Sequence, residues 1–255
     1  MNQSLLQTVV NMPLLLFVTF FLLFWLSAWI GFKLRKDHTD EPEGFSVVLG
    51  AVLTLLGLII GFTFSMAIGR YDQRKNYEEE EANAIGTEYV RADLLPAASA
   101  GNVRSLLSKY LDQRILFYGM RDQKELLQIN ATTARLQNDL WSAVQAPASA
   151  QPSPVIALAV AGMNDVLNSQ GYTQAAWWNR IPLEGWGLMA FIGIFANVLL
   201  GYGSRRAKTK RALLLVLPLM LSVSFFLIAD IDSPRRGLIR VRPQNLLSLS
   251  QSLHP

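Results

Sequence analysis

The acidic pair Asp230 and Asp232, and a histidine with acids around it (Asp37, His38, Asp40, Glu41, Glu43), are the groups whose type could hold a divalent cation. Neither makes a defined site. A hard cation takes about six to eight oxygens, and two carboxylates leave it mostly unligated. The stretch around His38 has no ligand spacing and reads as a solvated charged loop. The chain has no cysteine, which excludes disulfides, thiolate metal centres and a cysteine nucleophile. Its two histidines, His38 and His254, leave little for histidine-based catalysis or metal binding. No enzyme activity, cofactor or metal is expected.

The remaining candidates sit on one apolar run and its exit. Arg70 and Arg74 share a helix face just beyond residues 57–69. Cations there either anchor the helix among headgroups or attract ions at a pore mouth. Before them, Gly57, Gly61, Ser65 and Gly69 recur every fourth residue, as do Ser46, Gly50 and Thr54. Small residues at this spacing let helix backbones approach closely. The row serves packing within one chain, or packing around an oligomer axis, with Phe62 and Met66 on the neighbouring face narrowing a pore. Asp230 and Asp232 are expected to pair with Arg235, Arg236, Arg70 or Arg74.

The elements that must position these residues are membrane spans. Of 255 residues, 51% are hydrophobic, and the excess falls in four blocks: 12–32, 46–69, 183–202 and 212–229. The first block is too long for a signal peptide core and is followed by Lys33, Arg35 and Lys36, so it reads as a retained anchor. The fourth is barely long enough to cross and carries Pro218, which predicts a kink. Asn197, deep in the third, predicts an interhelical hydrogen bond. The resulting plan is all-α: a membrane hairpin (1–69), a helical soluble domain (70–182), a second hairpin (183–229) and a tail (230–255).

The second span runs without a break signal into the soluble domain, as one helix through about residue 95. Its run 78–81 reads as a solvated face. Beyond it, Ala82, Ile85, Tyr89 and Ala92 form a heptad-like stripe that requires a partner helix. A turn over 97–101 leads to a helix capped by Asn102. Asp122 with Glu125 makes a capping box for the next, with the stripe Leu126, Ile129, Thr133, Leu136, Leu140 and Val144. Residues 147–154 predict a flexible break. Ser153 and Pro154 then start a helix through about residue 168.

The net charge of +4 reports topology rather than nucleic-acid binding. The acid-free basic run 205–211 is placed in the cytoplasm, which puts the soluble domain outside.

The sequence resembles a family of bacterial membrane proteins called bestrophin-like, most of them without an assigned activity. The resemblance rests on Gly61-Phe62 with Phe64-Ser65, Arg70-Tyr71-Asp72, Glu81-Ala82-Asn83-Ala84-Ile85-Gly86-Thr87 and Arg91-Ala92-Asp93-Leu94-Leu95-Pro96. It continues at Arg180-Ile181-Pro182, at Asp230-Ile231-Asp232 and from Pro234 to Ile239. It implies a multi-pass protein of the bacterial inner membrane. It also implies a distant likeness to bestrophins, pentameric anion channels whose second membrane helix carries the apolar constriction. On that likeness the protein is a homo-oligomer passing small inorganic anions, with Phe62, Met66 and Gly69 at the constriction and Arg70 and Arg74 near its mouth. Bestrophins keep the domain after this helix in the cytosol, opposite to the charge reading. The other reading is a non-conducting assembly, sensor or scaffold acting through the soluble domain.

Overall fold

Every regular element among the described residues, 12–34, 43–204 and 214–253, is helical in the computed structural model. In chain order these are α1 (Pro13–Leu34), α2 (Phe45–Arg91), a 3₁₀ turn (Ala92–Leu94), α3 (Ala97–Gly119), α4 (Gln123–Ala150), α5 (Pro154–Trp178), α6 (Leu183–Ser204), α7 (Val216–Asp232) and α8 (Gln244–Leu253). His38 and its neighbours Asp37, Asp40 and Glu41, the basic run 205–211 and His254 lie outside the described residues. Stretches long and apolar enough to cross a membrane occur within Pro13–Leu34, Phe45–Leu94 and Pro154–Ser204. The expected fourth span is the shorter α7, whose 17 residues rise about 26 Å. Pro218 falls in its first turn, where a helical N–H has no acceptor to lose.

The chain divides into two units: Met1–Arg70 with Arg180–Arg240, and Tyr71–Asn179 with Val241–Pro255. In the first, α1 packs on α6 and α7. Phe20 and Phe24 of α1 meet Phe225 of α7, with ring centroids 4.8 and 5.5 Å apart, and Trp186 of α6 closes on the same ring at 6.1 Å. The α1 and α6 backbones touch. A Cβ on Gly201 would strike the Ala28 carbonyl, and one on Gly31 would strike that of Val198. This close approach is what small residues permit between apolar helices. Asn197 bonds within its own helix instead of across helices: its Nδ2 donates to the Gly193 carbonyl at 2.8 Å.

In the second unit α3 packs on α4 and on α8, and α4 on α5. The predicted stripes meet here: Ile85 from α2, Ala92 from the 3₁₀ turn that follows it, Val103, Leu107 and Leu111 from α3, and Leu140 and Val144 from α4 are all buried in one core. Each large apolar side chain so buried contributes about 1.5–3 kcal/mol before conformational entropy is counted.

Three local expectations need correction. The helix after Pro96 begins at Ala97, not at Asn102, because proline presets the first turn and alanine favours its continuation. Pro147 lies inside the last turn of α4, where the Gln151 N–H still reaches the Pro147 carbonyl at 2.9 Å, so the break narrows to residues 151–153. The next helix continues beyond 168 to Trp178. Ser153 caps it, accepting from Ile156 N at 3.1 Å, and Asp122 caps α4 by accepting from Lys124 N and Glu125 N.

Candidate functional site

The exit of α2 is built from charged residues that the protein uses on itself. Asp232, fully buried, takes Arg70 Nη1 at 3.4 Å and Arg180 Nε at 3.4 Å, and accepts the Ile181 N–H at 3.2 Å. Burial pulls the Arg180 guanidinium below its ordinary value, and Asp232 opposes that pull. A buried carboxylate costs several kcal/mol unless its oxygens are paired, and these partners meet the need. Asp230 has a different task. It accepts the Leu238 and Ile239 N–H groups at 2.7 and 2.8 Å, fixing the turn that follows α7. A Cβ on Gly237 would collide with the Asp230 carbonyl, so glycine is required in that turn. Thus the two acids split between an ion-pair hub and a backbone cap. No group of three or more potential metal ligands occurs among the described residues.

Arg74 is buried one turn further along α2, in the second unit. Its Nε donates to the Ala176 carbonyl at 3.1 Å and its Nη2 to the Asn179 carbonyl at 3.2 Å. Those carbonyls close α5, where the helix dipole is negative and acceptors lack partners.

The acidic run is split by helical geometry. Glu79 and Glu80 are exposed, whereas Glu78 and Glu81 are buried, three residues apart on the face that also carries Arg74. Glu81 pairs with Arg114 Nε and accepts from Tyr118 Oη at 3.3 Å and Thr173 Oγ1 at 3.2 Å. Burial alone would lower Arg114, but the adjacent Glu81 outweighs it and holds the guanidinium raised. Burial pushes the Tyr110 and Tyr118 hydroxyls up, with Glu81 adding to it. Glu88, two turns on, is also buried, and neither of its carboxylate oxygens has a hydrogen-bond partner. Burial pushes its carboxyl up to about 8 against the attraction of Arg91, and Asp165 raises it further. The α5 backbone crosses here at Gly162, where a Cβ would run into Glu88 Oε2 and Arg91 Nη1.

The residues placed at a constriction are arranged differently. Phe62, Met66 and Gly69 are all exposed, as are Gly57, Gly61 and Ser65. A Cβ added at Gly57, Gly61 or Gly69 would meet no atom within 4 Å. Over residues 45–69 of α2 only Leu56 and Ala67 are buried. The small-residue row therefore packs on nothing within the described chain. Close backbone approach within the chain instead uses single glycines, Gly31 against the Val198 carbonyl and Gly201 against the Ala28 carbonyl, without a four-residue row of small residues in α6. Buried Glu78, Glu81 and Arg114 escaped the sequence reading, because a run of acids gives no sign of which face turns inward.

An all-helical chain with lipid-length apolar helices and charged groups clustered at their ends is a membrane protein. Its identity is narrower than that: the chain belongs to the Bestrophin-like family, whose domain model matches residues 18–246. Its fold is similar to that of a bacterial bestrophin homologue from Klebsiella pneumoniae. The crystal structure phased on zinc matches with a TM-score of 0.64 at 14% identity, covering 93% of this chain and 99% of that one. Structures of two point variants of that homologue give TM-scores of 0.66 and 0.65, at 12% and 13% identity, with 93% and 92% of this chain covered and 97% of each of theirs. At such identities the likeness establishes the fold alone. No curated protein matches the sequence.

Proposed function

We propose that this chain is a homo-oligomeric ion channel of a bacterial inner membrane, with four spans and α2 nearest the oligomer axis. The observation that carries this reading is the bareness of α2 over residues 45–69. An apolar helix with a row of glycines on one side and Phe62 and Met66 beside it has almost no partner within its own chain. Close packing against α2 of neighbouring copies gives that row a partner. Phe62, Met66 and Gly69 then form the narrow part, and five is the copy number that the resemblance to bestrophins suggests. The second unit is the soluble domain, coupled to the pore through the continuous helix.

The charge preference does not follow from Arg70 and Arg74 in this reading. Arg70 serves Asp232 and Arg74 serves the end of α5, so both secure the helix exit. We therefore propose a channel for small inorganic ions without an assigned sign. Purified protein in liposomes under a salt gradient should show flux, the reversal potential should report the sign, and Met66→Ala or Phe62→Ala should change the rate. Absence of flux under every gradient, in liposomes that hold an oligomer, overturns the channel and favours a non-conducting assembly.

The basic run 205–211 supports an outward-facing soluble domain. With no native cysteine, single cysteines at Ser99 and Ser204 can be labelled with an impermeant reagent in intact cells. Labelling of the Ser204 site without the Ser99 site would reverse this orientation.

A further inference from the structure

The first unit carries a groove of about 460 Å³ that the channel reading does not use. It is lined by Trp25, Ala28, Trp29, Phe32 and Lys33 of α1 and by Leu214 and Leu215 just before α7. This volume is within the range of sites for small ligands, which are characteristically apolar with a few placed polar groups. Its polar group is at one end. Trp25, Trp29 and Lys33 follow one another at four-residue steps on one helix face, and the Lys33 ammonium lies 4.1 Å from the centroid of the Trp29 ring. The two indoles are half exposed, so their rings form walls of the groove rather than part of the core. Sequence continues the charge asymmetry on the α7 side, whereas beyond Lys33 the cations are followed by Asp37, Asp40, Glu41 and Glu43. Arg35 and Lys36 follow Lys33, and Lys208, Lys210 and Arg211 precede Leu214, with no acid among 205–215.

We propose that this groove is a binding site for an anionic glycerophospholipid, whose acyl chain lies between the indoles and whose phosphate meets Lys33. The match is chemical. An apolar wall of indoles, phenyl and leucines excludes a free anion's hydration shell and accepts methylenes, while a cation at the end selects the headgroup. A zwitterionic lipid fills the same wall but brings its own cation to Lys33, and a free phosphate ester gains nothing from the wall. Basic pockets between membrane helices are recurrent sites for anionic headgroups.

Tryptophan fluorescence tests this in the full-length protein reconstituted in phosphatidylcholine vesicles. Brominated phosphatidylglycerol or brominated phosphatidylcholine is titrated in as the quencher. The Trp25 and Trp29 component is the difference between the native chain and a Trp25→Phe/Trp29→Phe variant. That component should be half quenched at about a fivefold lower mole fraction of the anionic lipid. Lys33→Gln should reduce the preference at least by half, and Lys33→Arg should retain it. Lys33 is exposed, so these variants leave the core untouched. Equal quenching by the two lipids overturns the proposal, as does a preference unchanged by Lys33→Gln. Relief of quenching by added glycerol phosphate would show a site for the free phosphate ester, and overturns it too.

Discussion

Glu78 on α2 accepts the backbone N–H of Leu246 at 3.0 Å and that of Asn245 at 2.9 Å, and so caps the helix α8 that begins far along the chain. The other carboxylate oxygen takes Asn245 Nδ2 at 2.6 Å. A helix N-terminus exposes N–H groups with no internal acceptor, and a carboxylate there satisfies them and complements the dipole. Leu246 is fully buried beside this contact, and Leu249 packs on Gly86 one further turn along. Loss of the cap in Glu78→Ala should weaken α8 docking by about 1–2 kcal/mol. The backbone amides of residues 245–249 should then exchange faster by hydrogen–deuterium exchange, with those of α4 unchanged. Unaltered exchange over 245–249 would show that the cap does not hold this helix.

The Glu81–Arg114 pair should show strong coupling. Removing one partner leaves a buried charge alone, which costs about 3–5 kcal/mol. Glu81→Gln and Arg114→Met are each expected to lower the thermal midpoint in detergent severely. The double variant should recover part of the loss, because neither charge is then stranded. Additive losses would mean that Glu81 is held mainly by Tyr118 and Thr173.

Glu88 predicts a pH dependence with a definite sign. Its carboxyl sits at about 8 in the folded chain, well above the ordinary carboxylate value near 4.5. The folded state therefore binds the proton more tightly, and stability should fall as pH rises from about 4.5 to 8. The slope is bounded by about 1.4 kcal/mol per pH unit. Arg91 and Asp165 face the same carboxyl and moderate the effect in opposite directions. Glu88→Gln should flatten the pH profile of the thermal midpoint across this window, with the benefit greatest at its alkaline end. A variant with the native slope would place the titration elsewhere.

Gly201 tests the membrane packing. A side chain there meets the Ala28 carbonyl of α1, so Gly201→Ala forces the backbones apart. Overpacking of this kind costs about 1–3 kcal/mol. Gly61→Ala, where nothing stands within 4 Å, should leave the thermal midpoint of an isolated chain unchanged. If Gly61→Ala instead weakens the oligomer in cross-linking, the row on α2 is an interface between copies, as proposed.

Much of this protein was legible in its residues because the signals are local and repetitive. Apolar runs must be helices in lipid, where every backbone group needs an internal partner. The stripe from Ala82 to Ala92 and the caps at Asp122 and Ser153 mark helices and boundaries from spacing, and the residue motifs around Asp72 and Asp232 carry the resemblance to the family. Local pattern also misleads, as at Pro147 and Asn102, where the surrounding alanines kept the chain helical.

What only the tertiary structure decided is the use of each charge. In sequence, Arg70 and Arg74 are a matched pair on one face, and 78–81 is a uniform acidic run. Folding gives Arg70 to Asp232 and Arg74 to the carbonyls ending α5, and it turns Glu78 and Glu81 inward while Glu79 and Glu80 stay in solvent. The reason is physical. A charge can be buried only where distant segments bring matching donors or acceptors to it, and sequence spacing along α2 carries no record of those segments. Lipid-length helices are written in composition, but ion pairs are written in the fold.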